Sequence, residues 1–596
     1  MSQTLSATVT QPKHIVCDVL VIGSGAAGLS AAITAREHGL DVIVAEKEPA
    51  FGGTTARSGG WLWIPGNSLA KKAGICDTSA EATRYIRNEA GPAFDPARVE
   101  AFLENGGPMV DFFMEKTQVQ FALGDHYPDY HPDHPGGAEE GRSIRPLPYD
   151  GRLLGPLFRD LASQMRESTF MGMGLNSGPD LQHFLNATRS ITSAMFVARR
   201  IASHWIDVLR HGKGTRLVNG NALAARLLAS ANERDIKLWN STPALELVTV
   251  RGRVVGAVVS RQGQRVQVTA RRGVVLAAGG FPRDLARRQR HFGHLGSNTT
   301  HVSLAPEGNV GDGIRLAESV NASLECGLKS AAAWAPVSLV KYSDGSEGRF
   351  FHLIDRAKPG VIAVLKNGKR FVNESENYHD FVQAMIDASG GDEVSAWMIC
   401  DHRALKRYGL GAVRPFPIPF GKFLKSGYLV RGATLKELAQ KAGIDAYNLE
   451  RTIARLNRSA EEQGIDVEFH KGSTSYQRLL GDKDFEPNPC VAPIKEGPFY
   501  AVRIFPGDLG TYHGIKTDAS TRVLLRDGVV IDGLFAVGND AASIFGGSYP
   551  GAGATLGPAM TFGFICGNQL AGQSIAPMDV RDTPASNELT FTRQSS

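Results

Sequence analysis

Short apolar runs and runs at helical spacing alternate along this chain. At 17–47, "CDVLVIGSGAAGLSAAITAREHGLDVIVAEK" places an apolar run, a glycine turn, small residues at helical spacing and a second apolar run within 31 residues. That order predicts strand, helix and strand, and two strands joined through a helix are parallel. "RGVVLAAGGF" at 272–281 and "IDGLFAVGNDAAS" at 531–543 are two further apolar runs that end in small-residue turns. Both read as later strands of the same sheet, so the sequence between them holds an inserted domain. "ATRYIRNEAG", "ARRIASHWIDVLRHG" and "TLKELAQKAGIDAYNLERTIARLNRSAEEQG" carry the spacing of amphipathic helices. "KPGVIAVLKNGKRFVNES" predicts a hairpin turning at "NG". The expected organisation is a layered α/β domain at 14–285 with a helical insert at about 155–240, an α+β capping domain at 286–496, and a return to the first domain at 497–576. The polar, unpatterned ends, 1–13 and 577–596, read as loose tails.

Composition narrows the class. A chain of 596 residues and 64.0 kDa with 42% hydrophobic and 21% charged residues is long enough for two or more buried cores and is not a disordered polymer. A net charge of +5 is slight, and no window interleaves basic and aromatic residues as a nucleic-acid groove does. No apolar run is long enough to span a bilayer, and the N-terminus lacks the pattern of a secretory signal, so a cytoplasmic protein is expected. Six cysteines stand singly, without the spacings of haem attachment, iron–sulfur clusters or zinc sites. The histidines of "HYPDYHPDH" are separated by prolines that break any helical register, and no metal site is expected there.

"GSGAAG" follows an apolar strand and opens an alanine-rich helix, setting Gly23, Gly25 and Gly28 in the dinucleotide-binding pattern. The first glycine permits the turn, the second lets a pyrophosphate approach the backbone, and the third lets helix and strand pack closely. Glu46 ends the second strand, where a carboxylate accepts from ribose hydroxyls. A glycine-rich stretch, "EKEPAFGGTTARSGGWLWIPGN", follows at once. The order of these segments with "VVLAAGG" and "GLFAVGND" resembles the fumarate reductase and succinate dehydrogenase flavoprotein superfamily across nearly the whole chain.

That resemblance implies FAD in a Rossmann-like FAD-binding domain of the two-dinucleotide-binding-domain type, with an inserted substrate domain. It carries the cofactor to Gly23, Ser24, Gly25, Ala26, Ala27, Gly28 and Glu46, and to Gly53, Thr54, Thr55, Ser58, Gly59 and Gly60 along the pyrophosphate and isoalloxazine. Gly538 and Asn539 close over the ribityl end, and Lys47, Ala278, Gly279, Thr555 and Leu556 complete the set. Members with covalent flavin carry a histidine near the position of Arg57 to Gly60, so non-covalent FAD is expected. No second motif of this kind exists for a nicotinamide, which directs electrons to a quinone, a carrier protein or a dye.

A further question is posed by "SIFGGSYPGAGATLGPAMTFGFICG" at 543–567, where Tyr549 precedes Gly553 in a loop ahead of an apolar helix. A phenol and a backbone amide beside a helix N-terminus can polarise a ketone oxygen and stabilise an enolate. This stretch closely resembles the 3-ketosteroid Δ1-dehydrogenase family, in which the tyrosine and glycine of Y-x-x-x-G hold the 3-oxo group. The family's base is a tyrosine just after N-E-S, which carries over to Tyr378 in "VNESENYHDF". A third tyrosine supports the base from a position after a P-D pair, which carries over to Tyr130 in "YPDYHPDH", although Tyr127 also lies close enough to face the flavin. The resemblance implies Δ1-dehydrogenation of a 3-oxosteroid, with small cyclic ketones such as cyclohexanone or 4-oxocyclohexanecarboxylate as the alternative. A fumarate-type C=C reductase is a further alternative, but Tyr549 and Pro550 occupy the ground where its carboxylate clamp stands. A flavin carrier without substrate chemistry would have no use for the Tyr549 to Gly553 turn.

Overall fold

A computed structural model describes residues 13–572 apart from 177–179, 181, 182, 185, 189, 296–298, 391 and 392. The tail positions 1–12 and 577–596 lie outside the described residues, and Lys13 already begins the first strand.

The first sheet is built on Lys13–Ile22, flanked by Val42–Ala45 and Gln264–Leu276, both parallel to it. Lys237–Trp239 extends the sheet beyond Val42–Ala45, and Val530–Ala536 pairs in parallel with the end of Gln264–Leu276, Val274 opposite Leu534. The first half of Gln264–Leu276 carries instead an antiparallel flap, Ala244–Val250 and Arg253–Arg261. Strands covered on both faces must be apolar throughout, as Val42–Ala45 is. The helix Ala26–Glu37 is buried from Ala26 to Ala35 because the C-terminal helix Leu556–Gly572 lies across it. Small residues set that crossing: a Cβ at Gly563 would sit 2.6 Å from the Ala27 carbonyl oxygen, and one at Gly567 2.5 Å from the Thr34 Cβ.

The second sheet centres on the strand Phe499–Thr511, which pairs with Ala332–Lys341, Ala396–Cys400, Val430–Gly432 and Val302–Ser303. This corrects the expected boundary at 496 to 497, because the second unit continues to Thr511. Within the strand, Pro506 and Gly507 face Pro336 and Ala335, and these strand-breaking residues hid it from pattern reading. The helix Tyr378–Ala388 lies against this sheet and carries its first residue toward the first domain.

Two other expectations change. The insert is not helical over 155–240: residues 151–158 form a 3₁₀ segment and Ile191–His211 is its long helix. Asn219–Asn232 and Lys237–Trp239 belong to the first domain, where Trp239 pairs with Ala45. The "NG" hairpin also fails. The chain turns there, with Leu365 N donating to Lys369 O, but Val361–Val364 pairs with Ala396–Cys400 instead. Beyond the turn, Arg370 is held by Glu374 and Asp466, and Glu374 in turn accepts from Ala363 N. Burying that network draws the returning chain off the ladder.

The close crossing of the two helices gives a direct test. Gly563→Ala lowers stability by about 2 kcal/mol through overpacking, read as a fall of several degrees in Tm by calorimetry.

Candidate active site

The nucleotide cradle is assembled from backbone. Gly23 has φ +109°, and a Cβ there would lie 2.2 Å from the Ala277 carbonyl oxygen, while one at Gly28 would lie 2.1 Å from Gly23 O. Both glycines are demanded by packing. Gly25 differs, since a Cβ there would meet only Thr55 Oγ1, at 3.7 Å. Its bareness serves a group outside the chain, which fits a pyrophosphate lying on the helix N-terminus. The Ala26 amide donates to Thr55 Oγ1, which seats Thr55 against the first turn of that helix. Glu46 accepts from Ser24 N and Oγ through one oxygen, and the Ser24 hydroxyl accepts from Gly52 N, so the Glu46 carboxylate is fixed and buried.

The far wall is tied by Asp540, whose carboxylate accepts from Ala278 N at 2.6 Å and Gly280 N at 2.9 Å. Burial pushes its pKa up to about 6 against those hydrogen bonds. Asn309 Nδ2 donates to Thr54 Oγ1 and Gly279 O, joining the two glycine-rich turns, while Lys47 pairs with Asp312. Gly60 must be glycine, because a Cβ would lie 2.5 Å from Gly220 N, and Ser58 Oγ accepts from Gly60 N. Gly53 has φ +47°, and Gly59 lies against Trp61. Gly538, Asn539 and Thr555 line a cleft beside the N-terminus of Leu556–Gly572, together with Thr511 and Tyr512.

Tyr130, Tyr378 and Tyr549 meet in one cluster, although they come from positions 130, 378 and 549 of the sequence. The Tyr130 hydroxyl donates to the Tyr378 hydroxyl oxygen at 3.4 Å. Tyr549 stacks on Tyr130 with ring centroids 5.6 Å apart and meets Tyr378 edge-on at 5.0 Å. Tyr127 lies against Trp61, with ring centroids 4.8 Å apart, and shares a hydrogen bond with Tyr130. All three clustered phenols are buried, and burial raises the pKa of each.

Local structure aims each ring. Asn377 caps the helix by accepting from His379 N and Asp380 N, which makes Tyr378 its first residue. Gly553 has φ +98°, and its carbonyl is turned to Trp63 N and Gly557 N. The Pro550 carbonyl accepts from both Tyr130 N and Tyr85 Oη, locking the Tyr549 loop to the Tyr130 loop.

Sequence reading missed the residues that hold these loops. Asp129 accepts from Trp63 Nε1, Ala138 N and Arg142 Nη1, and Arg142 is also held by Asp77. Burial pushes Asp129 up to about 6 even beside Arg142. His131 is gripped by Glu89 Oε1 at 3.0 Å and Asp380 Oδ2 at 2.6 Å, and His134 also reaches Glu89. This clamp pins the Tyr130 loop to the first turn of the Tyr378 helix. Tyr476, 4.6 Å from Tyr130, and His379 and Tyr512, beside Tyr549, complete the aromatic wall. The only signal in the sequence was the P-D pair, which marked Tyr130 but not its partners.

The clamp carries a pH dependence. Burial opposes a charged His131, but the hydrogen bonds it donates to Asp380 and Glu89 prevail and raise its pKa to about 11. A folded-state pKa raised above the unfolded value of about 6.5 gives stability that is full below that pH and is lost as pH rises through the folded pKa. Asp380 is held below its ordinary range despite burial, so its share is lost in acid. His131→Gln therefore costs about 2 kcal/mol near neutral pH. Calorimetry from pH 6 upward should show the difference from wild type shrinking in alkali, with no such shrinkage if the clamp is uncharged.

The FAD binding domain family matches residues 18–556. The chain is 41% identical to 4-oxocyclohex-2-ene-1-carboxylate 5-dehydrogenase of Sinomonas cyclohexanicum, over 95% of each chain. It is 36% identical to 3-oxosteroid 1-dehydrogenase of Mycobacterium tuberculosis (strain H37Rv), covering 94% of this chain and 98% of that one. Its fold matches the crystal structure of 3-ketosteroid Δ1-dehydrogenase from Sterolibacterium denitrificans in complex with 1,4-androstadiene-3,17-dione, with a TM-score of 0.86 at 36% identity, covering 93% and 99% of the two chains. With the glycine cradle and the three-tyrosine cluster, these matches show that the chain belongs to the 3-ketosteroid Δ1-dehydrogenase family of FAD-binding flavoproteins, oxidoreductases acting on CH–CH groups.

Proposed function

We propose that this protein desaturates a cyclic ketone next to its carbonyl group, and that its substrate is a 3-oxosteroid oxidised between carbons 1 and 2. The observation that carries the reading is the meeting of Tyr549, Tyr378 and Tyr130 at the turn formed by Gly553. The Tyr549 hydroxyl and the Gly553 amide hold the carbonyl oxygen, where negative charge develops as the α-proton leaves. Tyr378 takes that proton. A buried phenol with a raised pKa is a poor base in isolation, so the proton must pass on, and the neighbouring Tyr130 hydroxyl is the group placed to relay it. Non-covalent FAD, when bound, accepts the β-hydrogen as hydride. The aromatic wall of Tyr127, Tyr476 and Trp61 excludes water from the reacting face. The electron acceptor is a quinone, a carrier protein or a dye, and the setting is cytoplasmic.

A second reading, a small cyclic ketone carboxylate as substrate, is favoured by the 41% identity to the 4-oxocyclohex-2-ene-1-carboxylate 5-dehydrogenase. Anaerobic bleaching of the bound flavin separates the two. A 3-oxosteroid should bleach it within seconds and 4-oxocyclohexanecarboxylate should not; the reverse pattern would assign the smaller substrate, and bleaching by succinate alone would overturn both. Tyr378→Phe should keep its FAD and lose about 10³-fold or more in kcat, with KM little changed.

A further inference from the structure

A turn behind the aromatic wall gathers three side chains that no motif joins. A short two-stranded sheet pairs Leu324 with Ile515 and Glu325 with Gly514 in antiparallel register, and one residue further that register sets Cys326 opposite His513. His291 ends the helix Leu285–His291, and its ring meets that of His513 edge-on, with centroids 5.6 Å apart and planes at 88°. A nitrogen from each histidine and the cysteine sulfur all lie within 4.8 Å of one another. Positions 291, 326 and 513 stand too far apart in the chain to show a ligand spacing.

His513 is the member that calls for a ligand. It is 4% exposed, and neither ring nitrogen meets a partner at hydrogen-bond geometry, although the Leu328 carbonyl approaches the ring. A buried polar group left in this way is costly unless something outside the chain satisfies it. A carbonyl for one nitrogen and a metal for the other is the arrangement of a ligating histidine. Burial, with His291 beside it, holds the His513 pKa down to about 4, so the ring is neutral and has a lone pair to give. His291 is partly buried and Cys326 exposed, so both can turn inward while His513 stays fixed in the wall. Among the described residues the other cluster of this kind is Glu89, His131 and His134, but its histidines are already paired with Glu89 and Asp380.

We propose that His291, Cys326 and His513 form a zinc site, with the fourth position of the metal left to water. Two imidazoles and a thiolate suit zinc, which takes nitrogen and sulfur in tetrahedral geometry, whereas magnesium and calcium demand oxygen ligands. Tetrahedral ligation sets the ligand atoms about 3.5 Å apart, a closure that falls to His291 and Cys326. The zinc–sulfur bond forms as the thiol gives its proton to solvent, and no electron is transferred. Neighbouring charges are largely paired, Glu318 with Arg287 and Glu325 with Lys516, which leaves Arg290 beside His291 for the thiolate to offset. Bound there, the metal fastens the end of the Leu285–His291 helix to the turn that carries Tyr512, whose ring centroid lies 6.5 Å from that of Tyr549.

The test is the zinc content of the untagged, full-length, FAD-loaded enzyme after it is stripped with chelator, given excess zinc and desalted. Wild type should retain one zinc per chain by plasma mass spectrometry, and its Tm should rise with zinc concentration. Cys326→Ser, at the surface, should lower zinc affinity by at least about 100-fold, more than an outer-shell partner is worth, with dye-linked turnover unchanged. His291→Ala should do the same, so the result does not depend on whether the buried His513→Gln variant folds. Cobalt in place of zinc should give wild type a thiolate charge-transfer band that Cys326→Ser abolishes. His134→Gln, at the other cluster, should keep its full zinc. Wild type that leaves the column without zinc, or Cys326→Ser and His291→Ala variants that keep it, would overturn the proposal.

Discussion

The Pro550 carbonyl, accepting at once from the Tyr130 backbone and the Tyr85 hydroxyl, is the contact on which the active site rests. It sets one acceptor between two loops more than 400 residues apart in the chain and so fixes the stacking of Tyr549 on Tyr130. Tyr378 arrives from the other sheet, on a helix whose first turn is tied to the same loop through His131 and Asp380. Three phenols from three segments thus share one desolvated space. Charge generated there is not screened by water, so on the proposed reading the Tyr549 and Gly553 donors act at full strength. The same desolvation makes a lone phenolate costly, which is why a single tyrosine would not serve.

Packing of the first domain supplies the second requirement, a fixed distance between this cluster and the nucleotide cradle. The helix that begins just after the Tyr549 loop lies directly on the helix that begins just after Gly25, at glycine-to-backbone contact. Both N-termini are thereby fixed relative to each other. Asp540, buried and bound to the Ala278 and Gly280 amides, closes the turn on the opposite side.

Much of this was legible where the backbone itself dictates the residue. Gly23 and Gly28 can be nothing but glycine, so they mark strand, turn and helix without further information. The three clustered tyrosines were legible only through their flanks, since a tyrosine alone has many uses. Nothing local announces that Asp129 will meet Arg142 and Trp63, or that His131 will be gripped by Glu89 and Asp380, because tertiary pairing leaves no periodic trace. The strand Phe499–Thr511 was obscured by Pro506 and Gly507, and the "NG" turn was real while its hairpin was not. In each case a long-range contact overrode a local preference.

The central claim is that Tyr378, Tyr549 and Gly553 loosen a hydrogen beside a carbonyl group before any hydride moves. Solvent deuterium exchange tests it most directly: a saturated 3-oxosteroid is held with dithionite-reduced enzyme in D2O, so that no net oxidation occurs, and analysed by mass spectrometry. Wild type should place one deuterium on the carbon next to the carbonyl, while Tyr378→Phe and Tyr549→Phe should leave the ketone unlabelled beyond the buffer rate. Undiminished labelling by Tyr378→Phe would contradict the account.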